Sequence, residues 1–141
     1  MAELQKVSLN TNWQYRFAPE SDNYSSVTMD DSDWSLTDFA DIPIMNTSLH
    51  NILWLRKCFD LLPTDACVRY FLRSHGHVYP MTVYLRGQAI VHCDGVLDVD
   101  VTDYVSLDDN ILVLAMRLEG QTLDTAQVAL YLQAIYCDDL D

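Results

Sequence analysis

The chain is 141 residues long, half of them hydrophobic, with a formal net charge of −13 at pH 7. That length and apolar share suit one domain with a full core over residues 1–141, while the charge excludes phosphate backbones and anionic membrane surfaces as partners. No apolar run is long enough to span a bilayer, and Met1-Ala2-Glu3-Leu4-Gln5-Lys6 forms no signal-peptide core, which predicts a cytoplasmic chain.

In chain order, the first alternating run is Trp13-Gln14-Tyr15-Arg16-Phe17. Asp30-Asp31-Ser32-Asp33 predicts a single turn before Trp34, capped by an aspartate. Like Asp108-Asp109 and Asp138-Asp139, this acidic cluster reads as turn chemistry and solvation, since no Asp-x-Asp-x-Asp-Gly loop for calcium is present. Residues 68–73 and 82–86 alternate. Within 83–95 the pattern predicts a hairpin: 83–86 out, Gly87-Gln88 turning, 89–93 back, with Ile90 and His92 on one face and Val91 and Cys93 on the other. Residues 101–105 suit a second short turn. The runs 111–118 and 128–136 are apolar on both faces, so something must cover their outer sides. The long segment 19–53 is one candidate, and another protein surface or a second copy is the other. No stretch keeps a helical period. The expectation is all-β, a sandwich or jelly roll of about eight strands.

Few residues suggest reaction chemistry. Cys58, Cys67, Cys93 and Cys137 form no Cys-x-x-Cys pair, and three of them lie in apolar runs, which predicts reduced, buried thiols. His75-Gly76-His77 either shares an ion from one side of a strand or forms a turn with two solvated imidazoles. No Gly-x-Ser-x-Gly elbow and no glycine-rich phosphate loop occur, and Cys93 ends a strand rather than opening a helix. No metal, cofactor or catalytic residue is predicted.

A series of short motifs adds a further reading. Leu9-Asn10-Thr11-Asn12-Trp13 is followed by Asp30-Asp31-Ser32-Asp33-Trp34, Ile42-Pro43 and Trp54-Leu55-Arg56-Lys57-Cys58-Phe59. Then come Val83-Tyr84-Leu85-Arg86-Gly87-Gln88, Asp100-Val101-Thr102-Asp103-Tyr104-Val105 and Asn110-Ile111-Leu112-Val113-Leu114-Ala115. The set, from about Leu9 to Leu118, resembles the N-terminal sugar-binding domain of glycoside hydrolase family 2. The resemblance implies a galactose-binding-domain-like β-sandwich with jelly-roll topology. This chain has Trp54-Leu55-Arg56 where the family often has Trp-Tyr-Arg, and Arg86-Gly87 where it often has Asn-Gly. Val96-Leu97-Asp98 replaces an aromatic-proline-aromatic run. The family's catalytic barrel and its paired glutamates lie outside the resemblance, and the glutamates here are Glu3, Glu20 and Glu119.

The expected function is therefore a non-catalytic carbohydrate-binding module, not an enzyme. Its candidate ligand-binding residues are Arg56, His75, His77, Tyr79, Arg86, His92 and Asp94, planar polar groups of the kind that grip sugar hydroxyls. The alternative is a structural or protein-interaction sandwich, holding a protein partner or a second copy and no sugar.

Overall fold

The alternating runs become strands, and short unpatterned pieces add two more than expected. A computed structural model describes residues 3–19, 21–41, 52–117 and 128–139. The strands are β1 (Glu3–Ser8), β2 (Trp13–Phe17), β3 (Ser35–Thr37), β4 (Ile52–Phe59) and β5 (Val68–His75). There follow β6 (Val78–Leu85), β7 (Gln88–Gly95), β8 (Asp98–Asp100), β9 (Asn110–Arg117) and β10 (Ala129–Tyr136). They form two antiparallel sheets, ordered β1-β10-β5-β8 and β3-β2-β4-β9-β6-β7. β3 and β8 are three-residue edge pieces, too short to show an alternation. The molecule is an all-β sandwich with the galactose-binding-domain-like, jelly-roll architecture. Ile42-Pro43 and Leu118 lie outside the described residues.

The main core fills the space between the sheets. Leu72, Leu130, Leu132 and Ala134 enter it from the four-stranded sheet, and Leu53, Leu55, Met81, Val83, Leu112 and Leu114 from the six-stranded one. Each such leucine contributes about 1.5–3 kcal/mol through removal from water. Trp13 is fully buried and donates its indole N–H to the Leu9 carbonyl at 2.6 Å, so a large anchor enters the core with its polar atom satisfied.

A second cluster explains why 111–118 is apolar on both faces. Ile52, Trp54, Val113 and Ala115 project from the other side of the six-stranded sheet and are covered by Ala18 and Trp34, with Tyr24 and Met29 packed alongside. The same chain supplies the cover. β10 differs: Tyr131 and Gln133 on its outer side are half-buried and polar-tipped, with the Lys6 ammonium 4.4 Å from the Tyr131 ring centroid.

The thiol expectation needs correction. Cys67 and Cys137 are joined in a disulfide, their Cα atoms 5.5 Å apart, while Cys58 and Cys93 are free. Sheet register is the cause. β5 and β10 pair antiparallel with Val68 opposite Tyr136, which places the flanking Cys67 and Cys137 opposite each other. The Cys137 N–H donates to the Cys67 carbonyl at 2.9 Å, extending the ladder by one rung. Burial pushes the Cys93 thiol up in pKa, and the Asp94 charge pushes it further. Burial likewise raises Cys58, assisted by Asp109 and Asp60, so both free thiols are poor nucleophiles.

Candidate functional site

The site begins at the β6–β7 hairpin. Leu85 pairs with Gln88, so the two turning residues are Arg86 and Gly87, one position earlier than the alternation suggested. Both have positive φ, 51° and 85°, the pattern of a two-residue type I′ turn. Asn-Gly is the pair at ease there, whereas a left-handed arginine is strained by roughly 1–2 kcal/mol. The Arg86 N–H donates to the Ile111 carbonyl at 2.9 Å, which ties the turn to β9. A Cβ at Gly87 would lie 3.6 Å from the Val27 side chain, so the 21–34 segment rests on the turn. The return strand also departs from simple alternation. A bulge between Val83 and Tyr84 in the pairing with β7 lets Ile90 and Val91 both pack on the main core, while His92 stays outside.

The facing wall is the loop from Val101 to Asp109, held by a dense set of hydrogen bonds. Asp100 Oδ1 accepts from the Thr102 amide at 2.9 Å and from its hydroxyl at 2.6 Å. The Thr102 hydroxyl oxygen in turn accepts from the Tyr70 N–H at 2.9 Å. Burial would raise the Asp100 carboxyl, but hydrogen bonds from Arg69 and Thr102, with the Arg69 charge, hold it below the usual carboxylate range. At the loop's other end Asn110 is fully buried. Its Oδ1 accepts from the Ser106 N–H at 2.7 Å, and its amide donates to the Ser106 and Phe59 carbonyls. Asp109 is left-handed, φ 59°, and its N–H donates to Asp60 Oδ1 at 2.9 Å.

Between these walls lies a cleft of about 530 Å³. Arg86, Gln88, Asp103, Tyr104 and Asp109 line it, with Val27 and Ile111 supplying apolar surface beside the buried Leu85. Its volume is in the range of small-molecule sites. It offers a guanidinium fork, an amide, a phenol and two carboxylates, which together can donate to and accept from hydroxyl groups.

Of the residues predicted from sequence, only Arg86 lines this cleft. Arg56 is 2 % exposed and structurally committed: its Nε meets Asp31 Oδ2 at 3.0 Å, and its NH1 donates to the Tyr24 and Ser26 carbonyls at 2.9 and 3.0 Å. Arg56 therefore holds the 21–34 cover down. His75 ends β5 and stacks on Tyr131, ring centroids 5.0 Å apart, on the outer side of the other sheet. Gly76, at φ 87°, bends the chain between His75 and His77, so the turn reading of this motif holds. His77 and Asp94 are exposed near Gly95. Tyr79 packs half-buried against the main core. His92 is exposed on β7, Nδ1 3.3 Å from the Thr82 hydroxyl. Neither Arg56 nor these residues converge on Arg86.

Gln88, Asp103, Tyr104 and Asp109 were missed. Asp103 and Tyr104 lie in Asp-x-Thr-Asp-Tyr and Asp109 in Asp-Asp-Asn, corner motifs of one loop, whereas Gln88 is the first residue after the hairpin turn. The aspartate that caps the turn before Trp34 is Asp30. Asp30 Oδ1 accepts the Ser32 N–H at 3.1 Å, while exposed Asp33 lies 4.0 Å from Arg16.

No protein-family model matches the sequence, and no curated protein matches it. The class defined by fold and site is a jelly-roll β-sandwich with a cleft at one hairpin turn. Among solved structures, a glycosyl hydrolase family 2 member from Bacteroides cellulosilyticus is similar with a TM-score of 0.74 and 18% identity, over 94% of this chain and 21% of that one. A Bacteroides uniformis β-glucuronidase gives 0.74 and 17%, over 94% and 18%. A Bifidobacterium dentium β-glucuronidase complexed with coumarin-3-O-glucuronide gives 0.73 and 14%, over 94% and 30%. The chain thus resembles, in fold, one domain of family 2 glycoside hydrolases, and spans about a fifth of the length of the first of these enzymes.

Proposed function

We propose that this chain is a non-catalytic carbohydrate-binding module whose site is the cleft between the Arg86-Gly87 turn and the 101–109 loop. One observation carries this reading. A cleft of about 530 Å³ presents both donors and acceptors from walls already fixed by the Asn110, Asp100 and Thr102 hydrogen bonds. Such preorganisation lowers the entropy lost on binding a small polar ligand. Likeness to one domain of sugar-processing enzymes supports the class of ligand, and because two neighbours are β-glucuronidases, uronides belong in the test panel. Titration calorimetry against a panel of methyl glycosides checks the reading. Heat of binding from at least one glycoside is expected, and silence across the panel would overturn it.

The alternative, a protein-interaction or self-associating sandwich, has lost part of its motive, since Ala18, Tyr24, Met29 and Trp34 cover the outer face of β9. Its remaining support is β7, an eight-residue strand at the edge of the six-stranded sheet. Light scattering separates the two readings: the carbohydrate reading expects a monomer. The cytoplasmic expectation has one observation against it. The Cys67–Cys137 disulfide favours an oxidising compartment, and thiol quantitation on protein from its native setting decides between them.

A further inference from the structure

We infer that the cleft selects neutral glycosides and rejects uronic acids, with Arg86 and Asp109 as its specificity-determining pair. The inference rests on the carbohydrate reading above and adds the charge class of the ligand.

Charge in the cleft is lopsided. Among the described residues that line it, Arg86 is the one cation, set in the same cleft as Asp103 and Asp109. Asp60 adds a carboxylate directly behind Asp109, accepting its backbone N–H. Around this lies a chain with a net charge of −13. A uronic acid would bring another carboxylate into this field, and the single guanidinium already shares the cleft with two anions. A neutral sugar suits the same groups. Vicinal hydroxyls donate in pairs to a carboxylate and accept in pairs from a guanidinium fork, both charge-assisted. Tyr104, Val27 and Ile111 offer apolar surface for the carbon face of the ring.

The backbone points to the same two residues. Among the described residues, three that are not glycine have positive φ: Asn12, Arg86 and Asp109. Two of the three line the cleft. Asparagine and aspartate tolerate that conformation; arginine does not. Asparagine would close the Arg86 turn at less strain, so what arginine adds is a forked cation that reaches further into the cleft. Strain kept at a position where a relaxed residue fits marks a functional constraint.

The test titrates the full chain with matched pairs: methyl β-glucoside against methyl β-glucuronide, and methyl β-galactoside against methyl β-galacturonide. Members of a pair differ only at C6. At low salt at least one neutral glycoside binds, and its uronide binds about tenfold more weakly or worse, a gap of about 1.4 kcal/mol. The gap shrinks with added salt as the field is screened. Asp109→Asn, which keeps a residue suited to positive φ, narrows the gap. Arg86→Asn weakens the neutral glycoside at least about tenfold while raising the melting temperature; thermal melts confirm that both variants fold. Uronides binding as tightly as their neutral partners, or a gap unchanged in Asp109→Asn, would overturn the charge inference and leave the carbohydrate reading intact. Unchanged glycoside affinity in Arg86→Asn would remove Arg86 from the site. Silence from all four glycosides would overturn the carbohydrate reading itself.

Discussion

Two arginines, Arg56 and Arg86, stand thirty positions apart, and the structure uses them in opposite ways. Arg56 is buried in β4, with its guanidinium bound to Asp31 and to the Tyr24 and Ser26 carbonyls. Arg86 is exposed at a hairpin tip, in a conformation that costs it energy. Both are planar cations that follow a leucine, so in sequence they are equivalent candidates for a ligand. What separates a structural arginine from a candidate ligand-binding one is what its environment leaves undone. Arg56 has its donors matched by the chain's own acceptors, and its region is finished. The region of Arg86 is strained, open and lined by unlike polar groups.

Breaking the finished region has the largest expected effect. Arg56→Ala removes a buried cation, unpairs Asp31 and takes a donor from the Tyr24 and Ser26 carbonyls, of which Ser26 keeps the Met29 N–H. Because Asp31 is partly exposed and can rehydrate, the loss is set at about 3 kcal/mol. That lowers the melting temperature by about 10 °C in a chain of this size, read by a thermal melt, and it exposes the aromatic cluster to fluorescence quenchers. Next is Gly87→Ala, which forces a side chain into positive φ against Val27. It loses about 1–2 kcal/mol, measured by urea unfolding. Arg86→Asn reverses the sign. Relaxing the turn stabilises by about 1 kcal/mol, so the melt rises by about 3 °C where Arg56→Ala lowers it.

The smallest effect concerns pH. Asp100 has its carboxyl held below the ordinary range despite partial burial, by Arg69 and Thr102. A depressed folded pKa gives stability that is present above the unfolded value, 3.8, and is lost as pH falls through the folded value. As pH falls from 3.8 to the folded value, the melting temperature should therefore drop more steeply for the natural chain than for Asp100→Asn. The Arg69–Asp100 pair is substantially exposed, so this change is a shoulder on the acid limb and weakens in salt.

Much of the architecture was legible because β-sandwich physics is local. Alternation in 13–17, 68–73 and 82–86 marks one core-facing side, and the two-sided apolar run at 111–118 correctly demanded a cover. What escaped depends on pairing between distant strands. The Cys67–Cys137 bond follows from Val68 meeting Tyr136, a register that no spacing of cysteines encodes. β3 and β8 exist because neighbouring strands offer them hydrogen bonds. The hairpin was legible to within one residue. Gly87 was expected to turn with Gln88, but the positive φ at Arg86 puts arginine in a role normally filled by asparagine. Asp31 shows the same limit, since its turn-forming neighbours disguised the counter-ion of a buried arginine. In the candidate site, Arg86 was visible from sequence. Its companions Gln88, Asp103, Tyr104 and Asp109 become companions only when the 101–109 loop folds back to the hairpin.

The most direct measurement of the central claim is amide chemical-shift mapping of the labelled chain titrated with a neutral methyl glycoside. Shifts are expected to cluster on Arg86, Gln88, Asp103, Tyr104 and Asp109, with the Gln88 side-chain amide among the largest. Shifts confined to His75 and Tyr131 on the outer side of the four-stranded sheet, or no shifts at saturating glycoside, would contradict that claim.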